Sequence, residues 1–149
     1  MRPHHTKTKG DLAVAKAIGD LAEQGFLVLL PLTEHAPFDL VAYHGGRFVR
    51  VQVKYRSVVR GPIQVSFQSS WADRHGTHVA ATVKASIDVM CIYCPETTAC
   101  YYLLLQRHER SVALRVSPPM NSQVRKILWA EEHRCLRGVL ADADRPPGG

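Results

Sequence analysis

Residues 38–56 constrain the fold more than any other part of the chain. Two apolar-rich runs, Phe38–Tyr43 and Arg47–Arg56, are joined across Gly45-Gly46, a pair suited to a tight antiparallel turn. Within the second run Val49, Val51, Val53 and Tyr55 alternate with Arg50, Gln52, Lys54 and Arg56. That is the period of a half-buried strand: one face enters a core, and Gln52 and Lys54 project together from the other. A hairpin brings Asp39 beside that polar face. A carboxylate, a second oxygen donor and a lysine at one point suit phosphodiester hydrolysis. The acid, Asp39, holds a hard cation, Gln52 offers a neutral carbonyl ligand, and Lys54 orients a water or neutralises developing charge. Each residue also has a plainer reading. Asp39 can satisfy local amides at a strand start, and a strand lysine usually reaches solvent.

Around this hairpin the patterning predicts a helix over 8–24, with Val14, Ala17, Ile18 and Leu21 as its apolar stripe and Gly25 ending it. A strand is expected over 26–30, stopped by Pro31, and another over 63–67. Residues 69–77 read as irregular, and 79–84 as a short helix. A second hairpin follows over 88–93 and 99–105, then a short strand over 112–116. Residues 121–133 read as a helix capped by Asn121 or Ser122, and the Asp-, Arg-, Pro- and Gly-rich segment after Leu140 reads as fraying. The order gives an α/β (α+β) fold with a central mixed β-sheet flanked by helices. It is expected as a single domain over 1–140 with a disordered tail over 141–149. Trp71 and Trp129 read as packing anchors, with DNA contact a second reading for Trp71.

Composition narrows the class. Of 149 residues 46% are hydrophobic and 21% charged, as in soluble globular proteins. No apolar run approaches a membrane span, and the first residues lack the apolar centre of a secretory signal, so the expected location is cytoplasmic, nucleoid-associated when bound to DNA. The formal charge of +6 fits a polyanionic partner. Arg47, Arg50, Lys54, Arg56 and Arg60 crowd the candidate site in sequence. They either solvate a sheet face or contact phosphates.

Cys91 and Cys94 resemble a metal pair, but side chains three apart on a strand point to opposite faces. Cys94 and Cys100 flank a turn and can approach across it. Buried thiols are the expectation for these cysteines.

Taken together, Pro37-Phe38-Asp39, the hairpin and Gln52-Val53-Lys54 resemble the core of the PD-(D/E)XK nuclease superfamily, in particular the group I intron-associated homing endonuclease branch that writes its last motif Gln-Val-Lys. Lys9-Gly10 opening the first helix, Ile87-Asp88 before a hydrophobic strand, and Pro119-Met120-Asn121-Ser122-Gln123 agree with that branch. The resemblance spans roughly residues 7–135 in the expected order.

It implies a restriction-endonuclease-like fold and a metal-dependent DNA endonuclease using Mg2+, with Mn2+ able to substitute. Asp39, Gln52 and Lys54 would be catalytic. Asp39, Gln52 and the Val53 backbone carbonyl would hold the metal. Double-stranded DNA is the implied substrate. One chain supplies one site, so a homodimer or higher homo-oligomer is expected.

The chain departs from the pattern at Val14, where the family usually carries a glutamate. Asp11 either compensates as a ligand or closes a capping box with Thr8. Gln123, Arg125 and Lys126 either position DNA or a partner subunit, or cap and solvate a packing helix. Two other readings stay open: a nuclease fold kept as a DNA-binding or assembly module, and a Holliday-junction-resolvase-like nuclease.

Overall fold

The computed structural model describes residues 5–81, 84–118 and 127–146, with 68–73 and 76–81 described by their backbone alone. In chain order the elements are α1 (His5–Glu23), β1 (Leu27–Leu29), β2 (Leu40–His44), β3 (Arg47–Tyr55), β4 (Pro62–Ser66), β5 (Gln68–Asp73), β6 (Gly76–Ala81), β7 (Val89–Cys94), β8 (Ala99–Leu104), β9 (Ser111–Arg115), β10 (Leu128–Trp129) and α2 (Leu136–Ala143). Short 3-10 turns lie at Leu105–Arg107 and Ala130–His133.

The Gly45-Gly46 turn forms as its sequence requires. Both glycines take positive φ, 58° and 82°, which side-chain-bearing residues rarely adopt. The turn sets β2 antiparallel to β3, with His44 opposite Arg47 and Leu40 opposite Val51. A five-stranded sheet of order β1-β2-β3-β7-β8 grows from this hairpin. It is mixed, because β3 and β7 run parallel and the other pairs antiparallel.

The two faces are covered differently. Val49 and Val51 of β3, with Val53 and Tyr55, pack beneath Ala13, Ala17 and Leu21 of α1 and Leu136, Val139 and Leu140 of α2. On the opposite face Met90, Ile92 and Cys94 of β7 meet a smaller sheet, β10-β9-β4, through Ile63, Val65 and Leu114. β7 is therefore buried on both faces, which its unbroken apolar sequence requires. The parallel β3–β7 step is bridged by a three-strand excursion, so the central strand carrying Lys54 has β4 above its polar face.

Several expectations are corrected here. The expected helix over 79–84 does not form: Gly76–Ala81 is a strand paired with β5, which also replaces the irregular stretch over 69–77. Thr77 and Val79 favour extended backbone, and the β5 partner completes their hydrogen bonds. The helix over 121–133 is likewise replaced from Leu128 onward. Leu128 and Trp129 pair parallel with Leu114 and Arg115 of β9, and the side chain of Ala130 is buried; residues 121–126 lie outside the described part. Where fraying was expected directly after Leu140, α2 continues to Ala143, with Val139 and Leu140 buried. Cys94 and Cys100 do not approach each other. Cys94 opposes Ala99 and lies in one core cluster while Cys100 lies in the other. Cys91 and Cys94 fall on opposite faces, as strand geometry requires, and all four cysteines are free. The side chain of Trp71 lies outside the described part.

α1 ends where Gly25 predicts. Gly25 has φ 91°, and the Phe26 and Gly25 amides close onto the carbonyls of Leu21 and Ala22, both at 3.0 Å, a Schellman stop. Leu21 is fully buried between both helices and the sheet. Leu21→Ala is expected to lower stability by about 2–5 kcal/mol, read as a lower denaturation midpoint at unchanged m in urea titration.

Candidate active site

β2 stops pairing with β3 at Leu40–Val51. One residue earlier, Asp39 still lies against the edge of β3. There the chain turns away through Pro37 and Phe38, whose ring packs partly buried against the second core cluster, and the β3 backbone loses its partner strand. Asp39 takes over that role. Its amide donates to the Val51 carbonyl at 2.9 Å, and its Oδ2 accepts from the Val53 N–H at 2.7 Å. The carboxylate thus replaces a missing ladder carbonyl, leaving Oδ1 without that duty. In an extended strand a residue's N–H and C=O point to the same side. The Val53 carbonyl therefore shares the side of β3 that Asp39 occupies.

Gln52 and Lys54 lie on the face covered by β4. The Gln52 Oε1 atom is buried and has no hydrogen-bond partner among the described residues. An orphaned buried carbonyl costs about 1–3 kcal/mol, and native chains seldom keep one without a use. The Lys54 Nζ donates to the Ser66 carbonyl at 3.0 Å, which ties it to the end of β4. Sequence reasoning missed this contact because a main-chain acceptor carries no residue signature.

The electrostatics of the two charged residues run against their ordinary states. Burial raises the Asp39 pKa above the usual carboxylate value, outweighing the Val53 N–H that lowers it. Burial, and secondarily the charge of Arg56, lowers the Lys54 pKa. Asp39 Oδ1, Gln52 Oε1 and the Val53 carbonyl are oxygen donors with one negative charge between them, the kind a hard divalent cation takes. The residues present therefore fit such an ion, and a cation there would satisfy Gln52 and relieve Asp39.

The remaining expected residues divide. Asp11 is exposed, on the side of α1 away from the buried Ala13, Ala17 and Leu21. The capping box with Thr8 does not form, because α1 has already begun by His5 and Thr8 lies inside it. Val14 is half-buried. Among the described residues no group of three or more His, Cys, Asp or Glu side chains is placed to hold a metal.

The arginines do not crowd the site as their sequence proximity suggests, because an extended strand spreads them out. Arg47 lies at the far end of β3, about 23 Å along the strand from Lys54, and pairs with Asp144 at 3.2 Å. Arg50 is committed to structure. Its backbone and guanidinium bind Asp88 at 2.8, 3.0 and 2.9 Å, and it donates to the Ala85 carbonyl at 2.7 Å. That pairing holds the Asp88 pKa below the carboxylate range. Arg56 stays beside the site, donating to the Tyr55 carbonyl at 2.8 Å. Arg60 is exposed in the turn before Gly61. Gln123, Arg125 and Lys126 lie outside the described residues.

A model of the PD-(D/E)XK endonuclease family matches residues 4–136. The chain belongs to the PD-(D/E)XK endonuclease family. Among solved structures, its fold is similar to that of the bacterial homing endonuclease I-Ssp6803I. The TM-score is 0.75 at 22% identity, covering 93% of this chain and 95% of that one. Hjc of Archaeoglobus fulgidus, a Holliday junction resolvase from an archaeal hyperthermophile, overlaps at TM-score 0.43 and 16% identity, over 68% of this chain and 86% of that one. Comparison with curated protein sequences gave no match.

The Asp39 shift has a consequence for stability. An acid with a raised folded pKa weakens the fold as pH rises from its unfolded pKa through the folded one, and the full cost persists above that. In metal-free buffer at neutral pH, Asp39→Asn is therefore expected to raise Tm, an advantage that disappears below the ordinary aspartate pKa. Melting curves of both proteins from acid to neutral pH check this.

Proposed function

We propose that the chain is a metal-dependent endonuclease that hydrolyses phosphodiester bonds in double-stranded DNA. The observation that carries the reading is the buried Gln52 Oε1, unpartnered among the described residues, one position before the Val53 amide that fixes the orientation of Asp39. Asp39, Gln52 and the Val53 carbonyl would hold Mg2+, or Mn2+ in its place. Bound there, the ion would supply positive charge for the scissile phosphate and lower the pKa of a coordinated water.

The chain's own residues supply the rest. Lys54, held by Ser66 and with its pKa lowered, gives up a proton more readily than a free lysine. It either orients and deprotonates the attacking water or neutralises charge on the pentacoordinate phosphate. Water attacks phosphorus as the bond to the leaving oxygen breaks, and the proton lost by the water is balanced by the one the leaving oxygen takes up, passed on through Lys54 or solvent. Burial around Asp39 and Lys54 keeps these charge interactions strong. With a single carboxylate among its donors, the site should bind its metal more weakly than a two-carboxylate site.

Arg56 is the proposed phosphate contact nearest the chemistry, with Arg60, Arg47 and the segment of Gln123, Arg125 and Lys126 contributing further out. Arg50 is withdrawn from that set by its Asp88 pairing. One site per chain makes duplex cleavage the work of a homodimer or higher oligomer, and homing-type target use remains part of the proposal. Val14 in place of the usual acid favours a second reading, a nuclease fold that binds DNA without cutting it.

The test is cleavage of a mixed supercoiled and linear DNA pool, with native genomic-neighbourhood DNA included. Mg2+- or Mn2+-dependent cutting is expected, reduced at least about 100-fold in Asp39→Ala and Lys54→Ala. Gln52→Glu should lower the metal concentration giving half-maximal activity. Tight, salt-sensitive binding without cutting would instead establish the second reading. Preference for a four-way junction over linear duplex would identify a resolvase.

A further inference from the structure

Beyond Lys54, the end of β3 opens into a cleft of about 600 Å³ between the first turns of α1 and the start of the β3–β4 connection. His5, Lys9 and Gly10 of α1 line one side, and Tyr55, Arg56 and Gln64 the other. We propose that this cleft binds the sugar-phosphate backbone of the nucleic-acid strand running away from the Asp39–Lys54 site, with Lys9 as a phosphate-positioning residue. The proposal rests on the nucleic-acid part of the reading above, and not on whether the chain cuts.

Three observations carry it. The first is charge. Among the described residues no carboxylate lines this cleft, whereas each of four other clefts contains one or more: Asp88, Glu132 with Asp142, Asp144, and Glu131. Lys9 and Arg56 come from different elements, so a gap between them, and not a single solvated face, is what they share. A polyanion is the partner this arrangement selects.

The second is orientation. The Lys9 ammonium lies 5.4 Å from the centre of the Tyr55 ring, which holds a normally mobile side chain at the cleft wall. Arg56 lies two residues beyond Lys54, just past the end of β3, and lines the cleft, so the cleft continues from the proposed chemistry. Two residues along β3 advance the chain by about 6.6 Å, about two nucleotide rises of a strand. Lys54 and Arg56 are thus spaced to meet neighbouring stretches of one backbone.

The third is Gly10. It lies inside α1, where glycine weakens a helix, yet among the described residues beyond its own stretch of helix no atom lies within 4 Å of where its Cβ would stand. Packing within the chain does not call for a glycine there. Because Gly10 lines the cleft, its bare backbone leaves room for a strand to approach the helix closely.

The experiment measures equilibrium binding of a mixed-sequence duplex across a salt series, in Ca2+ to separate binding from cutting, and steady-state cleavage in Mg2+. Lys9→Ala is expected to weaken binding about tenfold and reduce the slope of log affinity against log salt by about 0.9. Lys9→Arg should restore both. In cleavage, Lys9→Ala should raise KM and leave kcat near wild type, the opposite of Lys54→Ala. Gly10→Leu should raise or preserve Tm while weakening binding, a combination that a purely structural glycine would not give. Unchanged affinity and slope in Lys9→Ala, with Gly10→Leu binding normally, would overturn the cleft. Lys9-dependent binding without any cutting would uphold the cleft and overturn the nuclease reading alone.

Discussion

The hydrogen bond from the Val53 amide to Asp39 Oδ2 fixes the rest of the site. β3 extends beyond the point where β2 can pair with it, and a strand edge inside a protein must be satisfied by something. Here the substitute is a carboxylate. The same bond that completes the sheet sets the acid's orientation just beyond the end of the β2–β3 register. It also leaves the Val53 carbonyl on the same side. Structural and chemical roles are thus held by one contact, so displacing Asp39 would disturb both.

The core maintains an arrangement that is locally unfavourable. Asp39 is shielded enough to resist ionisation, Lys54 enough to shed its proton more easily, and Gln52 has a buried oxygen with no partner among the described residues. Each is a cost that a chain selected for stability alone would remove. They are sustained by Val49, Val51, Val53 and Tyr55 gripping α1 on one face and by β4 packing over the other. Perturbed groups concentrated at one point are a common mark of chemistry. By contrast Arg50 and Asp88, also charged and partly buried, satisfy each other fully. They act as a brace holding the entry to β7 against β3.

The sequence made the central hairpin, the first helix and the β7–β8 hairpin legible because their patterns are periodic and their turns carry glycine or a clear break. Asp39, Gln52 and Lys54 stood out together in the sequence because strand alternation puts Gln52 and Lys54 on one face and a tight turn returns Asp39 to the β3 edge, where it meets the Val53 amide. Where periodicity was weak, pairing decided instead. Thr77 and Val79 became strand because β5 was there to pair, and Leu128–Trp129 because β9 had a free edge. The arginines misled because proximity in sequence is distance along an extended strand. Arg50 looked like a phosphate contact until Asp88, 38 residues away, was seen to occupy it. The Ser66 carbonyl and the Lys9–Tyr55 contact are products of tertiary folding that no local pattern announces.

The central claim is that Asp39 Oδ1, Gln52 Oε1 and the Val53 carbonyl converge as one cation site. The most direct measurement is a crystal structure grown or soaked with Mn2+, with the ion located by its anomalous scattering. The account predicts a peak about 2.0–2.4 Å from all three oxygens, absent in Asp39→Asn crystals treated alike. A peak seated on other carboxylates while these three stay empty, or one that persists there in Asp39→Asn, would contradict it.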